Sequence, residues 1–239
     1  DVRSPACPRC ATGGCTATGR RHGQLSQRRG RRVTTSKDAA VDAVARPAVA
    51  VLGAGSWGTA LAVHLARTGH PTVLWGRDAA QMAALATARC NTRYLPMAPF
   101  PESLRVESDL ARAVGSAQEL LIAVPSHGFR ECLEHVAPLL RNGMRVAWAT
   151  KGFELDSGKL PHQVANEVLG IAVPKAVLSG PTFAREVGLG LPTAMTVASR
   201  DQDYALALAR ALSGQHFRAY ASTDVIGVEV GGATKNVLA

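Results

Sequence analysis

The chain has 239 residues, 46% of them hydrophobic, long enough for one large domain or two modest ones with a buried core. Its formal net charge of +9 is concentrated in residues 1–46, which hold ten Lys/Arg against three Asp/Glu and leave 17 basic and 15 acidic residues for the rest. That distribution argues against a basic nucleic-acid-binding body, and no apolar run approaches the ~18 residues of a membrane span or forms a signal-peptide core.

Residues 1–46 contain almost no large apolar side chains and no sustained period, which predicts a disordered basic extension. Cys7, Cys10 and Cys15, followed by His22, include a Cys-x-x-Cys pair but no second pair at zinc-site spacing, so no metal site is expected. "RRGRR" is read as a solvated basic run in preference to a nucleic-acid or membrane contact. The Arg-rich, acid-poor composition is also loosely transit-peptide-like, without an evident amphipathic helix. With no initiating methionine, the segment reads as upstream sequence translated with the gene, or as a poor gene model. Cys90 and Cys132 stand alone in the body, as free thiols of a reducing compartment do, and a cytoplasmic location follows as an expectation.

From residue 47 the texture changes. "AVAVLG" (48–53) is a short apolar run closed by glycine and predicts a strand buried on both faces. "SWGTALAVHLARTG" (56–69) places Leu61, Ala62, Leu65 and Ala66 at helical spacing and stops at Gly69. "TVLWG" (72–76) predicts the second strand, and 78–89 a helix N-capped by Asp78. Strands follow at 119–125, 144–150, 175–180, 193–199 and 216–222, with helices at 126–140 and from Asp201 to about Leu212. Alternation of this kind predicts an α/β domain over 47–222, a doubly wound, mostly parallel sheet. A last helical stretch, 223–239, has no strand after it.

"GAGSWG" (53–58) is a GxGxxG between a predicted strand and a predicted helix, the context that makes it a Rossmann-type dinucleotide loop. Gly53 permits the tight turn, Gly55 lets backbone approach a pyrophosphate, and Gly58 brings helix against strand. The helix N-terminus offers free N–H groups to the anion. Past the second strand the chain reads "WGRD", where Arg77 suits a 2′-phosphate, so NADP is accepted as well as NAD; Asp78 is read as the helix cap. Three stretches leave strand ends carrying chemistry: "VPSH", "ATKGFE" and "SGPTFAREV". His127 is either an acid/base group or a cap of the following helix. Lys151 is a cation beside a glycine, and Thr182 offers a hydroxyl. In a helix over 224–239, Gly231 and Gly232 lie about one turn before Lys235 and would give it a floor free of side chains. A lysine there, with Lys151 as a second cation, can exchange a proton with a developing alkoxide.

Together "VLGAGSWGTALAVHLARTGH", "LWGRD", "VPSH", "WATKGFE", "LSGPTFAREV", "GLPTA" and "GVEVGGATKNVLA", in this order from about residue 48, resemble bacterial NAD(P)-dependent glycerol-3-phosphate dehydrogenases. The resemblance implies interconversion of dihydroxyacetone phosphate and sn-glycerol 3-phosphate for glycerophospholipid synthesis. It further implies that Gly53, Gly55, Ser56, Trp57, Gly58, Arg77, Lys151 and Ala184 contact NADP or NAD. Lys151, Gly180, Thr182 and Lys235 would contact the phosphorylated substrate, with Lys235 as catalytic proton donor and acceptor and no metal. The family continues into an all-α domain with further substrate residues, so 223–239 is expected to be the first helix of a truncated second domain; the full-length protein is a candidate homodimer. Thr234 departs from the aliphatic residue usual before this lysine. A β-hydroxyacid-dehydrogenase-like enzyme, against which "SGPTFAREV" argues, and a non-catalytic dinucleotide-binding fragment are the alternatives.

Overall fold

The computed structural model describes residues 46–238, and their side chains as far as residue 234. The expectations attached to residues 1–45, the Cys7, Cys10, Cys15 and His22 group and the basic run included, lie outside the described residues, as does the side chain of Lys235.

The chain begins with β1 (Val49–Leu52), α1 (Ser56–Arg67), β2 (Thr72–Trp75) and α2 (Ala79–Ala88). A small hairpin of β3 (Cys90–Asn91) and β4 (Leu95–Pro99) follows, then β5 (Leu104–Glu107), α3 (Leu110–Gly115) and β6 (Glu119–Ile122). Next come α4 (Phe129–Val136), β7 (Arg145–Trp148), α5 (Pro161–Leu169), β8 (Lys175–Ser179) and α6 (Ala184–Leu189). The chain closes with β9 (Thr193–Ala198), α7 (Gln202–Leu212), β10 (Phe217–Ser222) and α8 (Val225–Leu238). Eight strands form one sheet in the order β10-β9-β8-β7-β6-β1-β2-β5, with every neighbouring pair parallel except β8 and β9. The doubly wound, mostly parallel sheet expected of the sequence is present.

Successive residues of a strand point to opposite faces, and here both faces carry apolar side chains. Val49, Val51, Leu121, Ala147 and Leu178 point to one side, where α1, α2, α6 and α7 cover them. Ala50, Leu52, Leu120, Ile122, Val146 and Trp148 point to the other, beneath α4, α5 and the start of α8. Each fully buried Leu or Ile contributes roughly 2 kcal/mol, so neither face could stay open to water. Asp78 caps α2 as expected, its Oδ1 accepting from Gln81 N–H at 3.0 Å.

The helix expected over 126–140 is divided. Residues 126–128 and 137–139 form 3-10 turns and only Phe129–Val136 is α-helical. Gly128 precedes the α-helical part, and Pro138, lacking an N–H, follows it. Among the described residues no helix is long and apolar enough to cross a membrane, and no group of three or more His, Cys, Asp or Glu could hold a metal ion.

Candidate functional site

The reversal of strand order falls at β1, which lies between β2 and β6, and ligands of open α/β sheets bind outside the carboxyl ends of strands at such a point. The three glycines of 53–58 meet different surroundings there. Gly53 has φ +123°, and a Cβ on it would stand 2.6 Å from the Ala123 carbonyl oxygen. A Cβ on Gly58 would stand 1.9 Å from the carbonyl oxygen of Gly53, so α1 lies directly against the end of its own strand. A Cβ on Gly55 would meet nothing within 4 Å. Two glycines build the turn and the third faces open space.

Gly55 is also the N-cap of α1 and offers no side-chain acceptor, and the first turn carries no acidic residue. The N–H groups of Ser56, Trp57 and Gly58 lie at a helix start where nothing in the helix can accept from them. An uncapped N-terminus beside open space fits an anionic group. The Ala54 carbonyl behind the loop is held by Asn91 Nδ2 at 3.0 Å and Gln81 Nε2 at 3.4 Å. Asn91, fully buried, also donates to Thr59 Oγ1 at 2.8 Å and accepts from Tyr94 N–H at 3.2 Å.

Lys151 leaves the end of β7 and reaches across the sheet. Its Nζ donates to the Gly180 carbonyl at 3.2 Å and stands 5.6 Å from the centroid of the Trp57 ring. Three stretches far apart in sequence thereby meet. Gly180 has no room for a side chain, since a Cβ would come within 2.9 Å of the Ala194 carbonyl oxygen. Buried nearby in sequence, the Thr182 hydroxyl finds no hydrogen-bond partner among the described residues, and neither does the buried Nε1 of Trp57. A buried polar group without a partner costs free energy, and a bound ligand would relieve it. Ala184, half-buried, opens α6.

The loop after Lys151 is clipped from outside. Arg130 of α4 holds both Glu154 oxygens at 2.8 and 2.9 Å and Glu167 of α5 at 2.8 Å. The Arg130 hydrogen bonds lower the Glu154 carboxyl to about 2.

Arg77 is exposed in the bend after β2, three strands from β7, or roughly 14 Å across the sheet. It follows β2 and Lys151 follows β7, on either side of the glycine loop that follows β1. His127 is exposed on the 3-10 turn, and Gly128, not His127, precedes α4 as its cap. Exposed Ser56 is the first residue of α1.

Lys235 lies in α8, which approaches the site through Gly232: a Cβ there would stand 2.4 Å from Ser179 Oγ and 3.8 Å from Lys151 Cγ. The expected glycine floor therefore divides, because Gly232 is needed for packing while Gly231 faces open space. Thr234 turns its hydroxyl back to the Val230 carbonyl at 2.8 Å, so the unusual hydroxyl is spent within the helix.

Two supporting residues escaped the sequence reading. Asn91 was legible only as a polar residue outside the predicted elements. Glu229 stands out in hindsight, because Val225, Glu229, Gly232 and Ala233 share one helical stripe and it is the charged member.

Residues 48–205 match the family described as NAD-dependent glycerol-3-phosphate dehydrogenase N-terminus. Over 191 residues the chain is 56% identical to the glycerol-3-phosphate dehydrogenase [NAD(P)+] of Xanthomonas euvesicatoria pv. vesicatoria and 57% identical to that of Stenotrophomonas maltophilia. Each alignment takes in 80% of this chain and 56% of the relative, so the chain spans little more than half the length of these proteins. A crystal structure of glycerol-3-phosphate dehydrogenase from Coxiella burnetii superposes with a TM-score of 0.77 at 43% identity, covering 81% of this chain and 59% of that one. Through its dinucleotide-loop domain, the chain belongs to the NAD-dependent glycerol-3-phosphate dehydrogenase family.

Proposed function

We propose that this chain is the cofactor-binding part, with the start of the catalytic part, of an NAD(P)-dependent enzyme that interconverts dihydroxyacetone phosphate and sn-glycerol 3-phosphate. The observation that carries this reading is the meeting of Trp57, Lys151 and Gly180 beside the open, uncapped start of α1. The cofactor domain is 47–222, and 223–239 opens a second domain.

The N–H groups of Ser56, Trp57 and Gly58 would hold the pyrophosphate of NADP or NAD, with Gly53, Gly55 and Gly58 shaping the loop. Arg77 would face the adenosine end, and Ala184 and Lys151 would line the nicotinamide end. When bound, the nicotinamide supplies or takes up a hydride. The substrate would be held by Lys151, the region of Gly180 and the Thr182 hydroxyl. Lys151 is a fixed cation aimed by Gly180 and Trp57, suited to a phosphate or carbonyl oxygen. Lys235 would give a proton to the oxygen that gains charge as hydride arrives, and take it back in the reverse direction. A cytoplasmic role in glycerophospholipid synthesis, a homodimer of the longer protein and no nucleic-acid partner complete the reading.

Titrating the 239-residue chain with NADPH and NADH by calorimetry tests the cofactor half directly. Saturable, one-to-one binding is expected, and its absence for both nucleotides would overturn the reading. A second expected result concerns the support behind the loop. Asn91→Ala removes the donor to Ala54 and Thr59, and affinity for NADPH should fall about tenfold as the loop loses its fixed geometry. The melting temperature should also drop, since the buried Thr59 hydroxyl loses its donor, at ~1–3 kcal/mol, and the Ala54 carbonyl keeps only the longer bond from Gln81. Unchanged affinity in a destabilised Asn91→Ala would assign Asn91 to the fold alone.

A further inference from the structure

Helix α8 carries Lys235 and, among its residues with described side chains, grips the sheet with little apolar surface. Of these, buried Val225 and half-buried Val228 are the sizeable apolar side chains packed on the core, while Gly232 and Ala233 offer almost no surface with which to interdigitate. Small residues permit close approach but define position weakly, because a helix can turn or slide over them.

Glu229 supplies what the stripe lacks. It is 4% exposed, and its carboxylate meets donors from two other elements. Oε1 accepts from the Trp148 indole Nε1–H at 3.0 Å and from the backbone N–H of His162 at 2.9 Å. Oε2 faces His162 Nδ1 at 2.5 Å, with a proton between them. Trp148 is the last residue of β7, three before Lys151, and His162 is in the first turn of α5. The carboxylate also closes the N-terminus of α5, where Pro161 has no N–H to offer. Burial raises the Glu229 carboxyl above its ordinary range, and the bonds from His162 and Trp148 oppose that rise.

A buried charged group held this way is not the most stabilising filling for an apolar stripe, since a well-packed hydrophobe is often equal or better. Its distinguishing property is directional: two N–H donors and the His162 ring nitrogen, fixed on two elements, define one position, where an aliphatic side chain tolerates several. We propose that Glu229 is a positioning residue that fixes the register of α8 on Trp148 and His162, and through it the place of Lys235. The inference rests on the assignment of Lys235 made above. A turn of α8 by about 20° about its own axis would displace any point ~6 Å off that axis by ~2 Å, at residue 235 as much as at Glu229. A displacement of that size is enough to cost a proton transfer much of its rate.

The register can be read one turn before Lys235. The Cβ position of Gly232 is 3.5 Å from Ser179 Cβ, within the range that a disulfide bridges. In the full chain, Ser179→Cys with Gly232→Cys is expected to oxidise readily to a 179–232 disulfide, mapped by proteolysis and mass spectrometry. Adding Glu229→Leu should slow its formation on the order of tenfold, while Glu229→Gln, which keeps an acceptor for Trp148 and the His162 N–H, should recover most of the rate. Trp148→Phe should fall between them, and it provides the measurement if Glu229→Leu does not fold. NADPH affinity, whose pyrophosphate donors at residues 56–58 are untouched by changes at 229 and 148, should stay within about twofold among Glu229→Leu, Glu229→Gln and Trp148→Phe made in the same background. Equal disulfide rates in the parent, Glu229→Leu and Trp148→Phe would overturn the proposal. Loss of NADPH binding by the parent chain would instead overturn the cofactor reading, and the disulfide rates would still stand as the test of register.

Discussion

Gly55→Val is expected to abolish binding of NADPH and NADH while leaving the fold intact. The two halves of that statement have separate physical sources. The Cβ added at residue 55 meets no protein atom within 4 Å, and the backbone there has φ −77°, which any residue adopts. No described residue meets that Cβ, so the melting temperature should move little. The same open space is where a pyrophosphate would approach the first N–H groups of α1, and a branched side chain would occupy it. A loss of affinity of about a hundredfold or more is expected, since the anion would forfeit its closest backbone donors. Gly53 and Gly58 provide the contrast. Alanine at 58 would place Cβ 1.9 Å from the Gly53 carbonyl oxygen, and alanine at 53 would combine φ +123° with a 2.6 Å approach to the Ala123 carbonyl oxygen. Those variants should lose stability first, and nucleotide binding only as a consequence. Calorimetry and thermal unfolding of the three variants separate the cases. If Gly55→Val binds as tightly as the parent, the open space is not a cofactor site.

How far the sequence foretold this molecule depended on whether the signal was local. The parallel strands β1, β6, β7 and β8 are buried on both faces, so they read as apolar runs and were legible to within three residues at either end. Strand β5 was not, because it is an edge strand with Arg105 and Glu107 in a run of four. The hairpin of β3 and β4 hides among Pro96, Pro99 and Pro101, and α6 is only six residues long, too short to show a period. The glycine loop was legible because its requirements are met by adjacent residues. The grip of Asn91 on Ala54 spans 37 residues and that of Glu229 on Trp148 spans 81, and no local pattern announces contacts of that kind. The same limit explains the glycine floor: spacing places Gly231 and Gly232 near Lys235, but only the fold shows that Ser179 occupies the space over Gly232.

Lys235→Ala is expected to remove the reaction and spare the cofactor. The proton must go to or come from an oxygen at the reacting carbon, and a general acid or base in that place is worth about a hundredfold to ten-thousandfold in rate. Lys151 cannot readily substitute, because its ammonium is already committed to the Gly180 carbonyl and the Trp57 face. The 239-residue chain itself should turn over dihydroxyacetone phosphate very slowly or not at all. Ile226 and Val230 of α8 are 54% and 40% exposed, apolar surface on the helix that carries the proposed proton donor. Phosphate binding also depends on several cations, and positioning alone can supply several kcal/mol of barrier reduction. Joining this chain to the remaining half of a curated relative should cover that surface and raise activity by orders of magnitude. In the joined protein, Lys235→Ala should lower kcat about a thousandfold, with NADPH affinity within about twofold of the parent, because the pyrophosphate would be held by the backbone of the 53–58 loop and not by Lys235. Full activity of the 239-residue chain, or a joined Lys235→Ala protein that keeps most of its rate, would remove Lys235 from the chemistry.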